Sequence, residues 1–257
     1  MKRIVSLIFV FLCIGLTSCS EDNDDKVSLT NVTFNFSHNW DEIPITNSDF
    51  NTIKFTNAHG NQLSIERLRY LISKITFYKI DGSTTVLDGY NLVDVTNNEN
   101  LSFTPTTFLT TGSYSDVTFT FGFNNEDNSN NYEDLNSALW SVPAILGSGY
   151  HYMQLDGKFL NKTGTEQGFN YHAIRAVDNP GANPTFPQDT FFNVSLGAIT
   201  ISNNATFNIE MNIAKWFKNP KTWDLNILNQ TLMPNSAAQI MMFEYGQDVF
   251  NLKTVNQ

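Results

Sequence analysis

Four histidines and one strand-like run hold most of the chemistry this chain could perform. In GSGYHYMQLDGKF, residues 147–159, Gly-Ser-Gly stands directly before a β-prone run that interleaves aromatic rings, an imidazole and a thioether. Extended backbone sends alternate side chains to opposite faces, which puts His151, Met153 and Leu155 on one side and Tyr150, Tyr152 and Gln154 on the other. A nitrogen donor and a sulfur donor then occupy neighbouring rungs. That pattern suits a metal ion, and it equally suits a core position for Met153 beside Leu155. The other histidines differ in setting. His38 shares one face with Val32, Phe34, Phe36 and Trp40, near where the apolar run ends, so it points inward near the rim, where a lone histidine is ordinarily a hydrogen-bonded structural residue. His172 lies in GFNYHAIRAV between two mixed faces, and its direction stays open. His59, in Asn57-Ala58-His59-Gly60-Asn61, belongs to an exposed turn.

The elements that must position these groups are mostly short strands. Clean alternation marks Val32 to Trp40, Val117 to Phe123, Phe192 to Leu196 and Phe207 to Ile213. Ser64 is placed to cap a short helix with Ile65, Leu68 and Leu71 on one face, followed by a strand from Lys74 to Ile80 and a turn at Asp81-Gly82. Ser236 to Val249 reads as an amphipathic helix. The loop NNEDNSNNYEDL spaces Asp127, Ser129, Asn131 and Glu133 as a calcium loop would. Tyr132 replaces its glycine and Ala138 its final glutamate, so a plain polar loop is favoured. Enrichment in β-branched and aromatic residues, turn signals throughout, no internal repeat and no low-complexity divider together predict an all-β, single-domain β-sandwich, Ig-like, with two or three short helices.

Met1-Lys2-Arg3, an apolar run from Ile4 to Leu16 and the sequence Leu16-Thr17-Ser18-Cys19 resemble a bacterial lipoprotein signal with its lipobox. On that resemblance residues 1–18 are removed and Cys19 carries the lipid. Residues 19–30 are then an acidic tether and residues 31–257 the sandwich. The acidic run 20–25 resembles the surface-export signals of Bacteroidetes-type lipoproteins, so the expected location is the outer membrane, at the cell surface or the periplasmic face. No second apolar span follows, which leaves the lipid as the sole membrane anchor.

The chain has 15 basic and 25 acidic residues, a formal charge of −10, and loss of Lys2 and Arg3 makes the mature form more acidic still. Nucleic acid requires a basic footprint and is excluded as a partner. Cys13 leaves with the signal and Cys19 is consumed by lipid, so no thiol remains for a disulfide, a thiolate site or a nucleophile. A nucleophile elbow, a phosphate-cradling loop and a zinc-protease helix are all missing from the sequence, and no carboxylate pair stands out as catalytic, so no enzymatic role is expected. With thiolates gone, imidazole nitrogen and thioether sulfur suit copper better than zinc.

In family order, FNFSH (34–38), LSIERLRYLISKI (63–75), YNLVD (90–94), VTFTFG (117–122), GYHYMQLDGK (149–158), FNYH (169–172) and WFKNP (216–220) span nearly all of the mature chain. Together they resemble the MbnP-like copper-binding proteins. The resemblance implies a β-sandwich holding copper through histidines, with His38 and His172 as the leading ligands and His151 and Met153 next. It also implies a tryptophan near the metal that a partner dihaem peroxidase can oxidise, for which Trp40 and Trp140 are the candidates, and an outer-membrane transporter as a further partner. The expected role is copper capture or delivery. A copper-free surface module binding glycan or protein, with structural histidines, is the alternative.

Overall fold

The computed structural model describes residues 28–257, and the proposed leader, Cys19 and most of the tether lie outside them. The folded body is built from strands with two short α-helices and several single turns of 3-10 helix. It begins before Asn31, where the sequence placed the boundary. Leu29–Thr30 pairs with Leu109–Thr110, and Thr30 is buried.

Two sheets face each other. The larger has nine strands and is centred on Arg67–Tyr78, which pairs with Asp116–Phe121, Met153–Leu160 and Tyr90–Asp94, while Glu166–Ala173 extends it through Met153–Leu160. The smaller has five strands, with Val32–Trp40 lying between Ala205–Asn212 and Ile43–Ile45. Its pairing with Ala205–Asn212 is parallel. Between the sheets lies an aromatic core, in which Phe34 stacks on Phe207 at 4.9 Å and Phe121 on Phe192 at 4.9 Å. Such pairs add stabilisation beyond their buried area. The all-β sandwich with short helices expected from the patterning is the architecture found.

No helix forms over Ser64 to Leu71; residues 67–71 instead begin this central strand. Period two is lost along this strand for two reasons. Lys74 adopts φ +49°, and the ladder to Asp116–Phe121 slips at that point, so Leu68, Tyr70 and Ile72 face the core before the bulge and Ile75 and Phe77 after it. A β-bulge inserts one residue and flips the parity of everything beyond it. In addition, Leu71 is buried on the other face, against Phe123, Leu135, Trp140 and Tyr150. Residues 123–150 thus form a third layer over the outer face of the large sheet, which includes the helix Glu133–Ser137. The helix Ser236–Gly246 starts where expected, capped by the Asn235 side chain on the Ala238 N–H.

Candidate functional site

The outer face of the large sheet, under this third layer, gathers the polar residues of three neighbouring strands. Gln154 lies opposite both Arg69 and His172, and Asp156 opposite both Arg67 and Asn170. Strand alternation sends all six side chains to the same side, away from Leu68, Tyr70, Leu155 and Tyr171 in the core. Asp156 is the hub. Its Oδ1 accepts from His172 Nε2 at 2.7 Å and from Asn170 at 2.6 Å, and Arg67 pairs with its Oδ2. Burial pushes this carboxyl up, but the contacts from His172, Asn170 and Arg67 outweigh it and hold the group down at about 2.

His151 joins from above. The strand does not start until Met153, and the bend at Tyr152 turns the ring of His151 to the outer face, where it stands 5.3 Å from the ring of His172. Met153 and Leu155 go to the core instead, so the expected shared face of His151 with these two residues is not formed. The Nδ1 of His151 lies 2.8 Å from the Trp140 carbonyl, which can only accept, so Nδ1 carries the proton. Its Nε2 is therefore a bare lone pair, buried and without a partner. Burial, followed by the like charges of His172, Arg69 and Arg67, lowers its pKa to about 4 despite the opposing carbonyl, which keeps the ring neutral. His172 gives its Nε2 hydrogen to Asp156, which leaves its Nδ1 as the ring nitrogen turned away from that carboxylate.

The surroundings hold these rings in place. Trp140 is fully buried with its ring 5.6 Å from His151, and Arg69 lies over the Trp140 ring at 5.2 Å while bonding the Ala138 carbonyl and Gln154. The indole N–H of Trp140 is unpartnered. Gln239, from the long helix, accepts from the Ile174 N–H and donates to the carbonyls of His172 and Leu232, which pins the end of the histidine strand to the loop beside it. His172 and Asn170 line a cavity of about 310 Å³ that Met233 also lines. Among the described residues, no three His, Cys, Asp or Glu side chains converge as a metal-holding group, so a third donor here would be a thioether or a neutral oxygen.

The other expected site residues go elsewhere. His38 is buried between the sheets and shares a 2.9 Å hydrogen bond with the Tyr70 hydroxyl. Burial lowers its pKa to about 4 and pushes that of Tyr70 well above the usual phenol range. His38 and His172 thus lie on opposite faces of the large sheet, and Met153 is fully buried opposite Tyr70 and Ala173. Trp40 stacks on Phe55 at 4.9 Å in the core, so Trp140 is the tryptophan beside the paired histidines. His59 is on its exposed turn, 3.3 Å from Asp224. Asp156, Arg69 and Met233 were missed by sequence reasoning. Strand alternation from Gln154 could have found Asp156, whereas Met233 lies in a loop with no periodic signal.

A family model described as MbnP matches residues 29–242. Among solved structures, MbnP from Methylosinus trichosporium is similar at 11% identity over 77% of this chain and 80% of that one, with a TM-score of 0.47. No curated protein matches the sequence.

Proposed function

Because the chain belongs to the MbnP family, we propose that it is a copper-binding protein that captures or delivers the ion without catalysing a reaction. The observation that carries this is the histidine pair: two rings 5.3 Å apart, each with one nitrogen bonded to a protein acceptor and the other with no protein hydrogen bond. Such outer partners fix the tautomer and raise ligand basicity at metal-ligating histidines. His151 Nε2 and His172 Nδ1 would hold the ion, and Met233, on the cavity wall shared with His172, would offer a thioether. Two imidazoles and a soft sulfur with no thiolate suit copper among the common transition metals. Bound copper would supply a soft cationic centre, while the chain's own residues orient the donors and bury one of them away from water. The acidic balance of the sequence favours cation capture at long range.

In this proposal a lipid on Cys19 anchors the protein outside the cytoplasm at the outer membrane, with a dihaem peroxidase and an outer-membrane transporter as partners. Trp140 is then the tryptophan within reach of oxidative chemistry, given its position beside His151. The test is anaerobic Cu(I) titration against a chromophoric competing chelator, with elemental analysis after dialysis. The expected result is about one copper per chain, lost in a His151→Ala, His172→Ala double variant and kept in Met153→Leu. Full copper retention by the folded double variant, or no uptake by the wild type, would refute it.

A further inference from the structure

A second site lies beside the Gly-Ser-Gly turn, distinct in its residues from the histidine pair. Residues 125–150 and Arg175 enclose a cavity of about 600 Å³. That volume is in the range of small-ligand sites. Arg175 lays its guanidinium over the Phe186 ring at 3.7 Å, and its Nε is buried without a hydrogen-bond partner. No carboxylate among the described residues forms an ion pair with it. An arginine held this way presents a fork of donors with nothing to receive them.

The glycines build the walls around it. Gly147 has φ +93°, and a Cβ there would stand 2.4 Å from the Phe186 ring, so only glycine lets the platform under Arg175 come this close. Gly149 has φ +83°, and a Cβ there would stand 2.5 Å from Asn128 Nδ2. Asn128 spends its Oδ1 on the Tyr150 N–H at 2.9 Å, which leaves its amide N–H groups as donors. Asn125 binds Asp189 through Nδ2 at 2.6 Å and keeps a buried Oδ1 with no partner. The cavity thus offers one cation, several neutral amides and an orphaned acceptor.

We infer that this cavity binds a carboxylate-bearing sugar, a uronic-acid residue of an oligosaccharide, with Arg175 forking onto the carboxylate and Asn125 and Asn128 meeting hydroxyls. A single arginine matches a single negative charge. The amides supply both donors and acceptors, as hydroxyl groups need.

The experiment is isothermal titration of the full chain with trigalacturonate, with a neutral trisaccharide and inorganic phosphate in parallel. Trigalacturonate is expected to bind and the neutral trisaccharide not to. Arg175→Gln should weaken binding about tenfold or more, and Arg175→Lys by less. Thermal unfolding of each variant shows that it is folded, and Asn125→Ala provides a second lesion outside the arginine. The inference is overturned by no trigalacturonate binding at millimolar concentration, by equal binding of the neutral sugar, by full competition from phosphate, or by unchanged affinity in folded Arg175→Gln.

Discussion

His38 makes this protein sensitive to acid, and replacing it with glutamine should remove a defined part of that sensitivity. Its pKa falls from an ordinary 6.5 to about 4 because the ring is buried between the sheets. Well above pH 6.5 both folded and unfolded chains carry it neutral, and it adds no pH dependence. Between 6.5 and about 4 the unfolded chain takes up a proton that the folded chain refuses, so stability falls as pH falls, and below about 4 the loss levels off. The shift is worth about 3 kcal/mol in total, most of it lost between about pH 7 and about pH 4.5. Glutamine is uncharged, of similar size and able to bond the Tyr70 hydroxyl, so His38→Gln should cost about 1 kcal/mol near neutrality. In urea titrations followed by tryptophan fluorescence, the wild type should be the more stable at about pH 7 and the variant at about pH 4.5. Parallel stability curves for the two proteins would show that His38 is not held neutral by burial.

The pKa of His151 is lowered in the same direction, so His151→Gln should flatten the same acid limb, measured in the same way. Asp156→Asn removes the charge that pairs with Arg67 and leaves one acceptor oxygen where two now serve His172, Asn170 and Arg67, so copper affinity in the competition titration should drop about 10- to 100-fold with stoichiometry unchanged. At Gly157 an added Cβ would stand 2.0 Å from the Ser64 carbonyl oxygen, which is backbone and cannot swing away. Gly157→Ala should cost several kcal/mol, roughly 3 or more, seen as a lowered urea midpoint. Met153→Leu keeps core volume and should cost less than about 1.5 kcal/mol by the same measure.

The sandwich was legible because its strands alternate plainly where one face is buried, as in Val32–Trp40 and Asp116–Phe121. It failed to be legible in Arg67–Tyr78, where burial on both faces and the Lys74 bulge erase period two. The candidate site followed the same rule. His151 and His172 were both named from sequence, and His172 could be faced only once its register against Gln154 and Asp156 was known. His151 lies ahead of the strand, beyond the bend at Tyr152, so strand alternation does not carry it to the face of Met153. The family resemblance makes His38 a leading ligand, whereas its core-facing run reads as structural, and that run carries it to Tyr70 and away from His172.

The parallel pairing of Val32–Trp40 with Ala205–Asn212 also sets an order of events during folding. The first long strand of the body waits for a partner that emerges some 170 residues later, with Asn208↔Asn35 as one of its rungs. Contacts of such sequence separation form slowly. Until they form, one edge of Val32–Trp40 is open to any other extended chain. A chain interrupted anywhere before Ala205 keeps that edge permanently, so C-terminal truncations should aggregate even when every residue of the histidine pair and its sheet is still present.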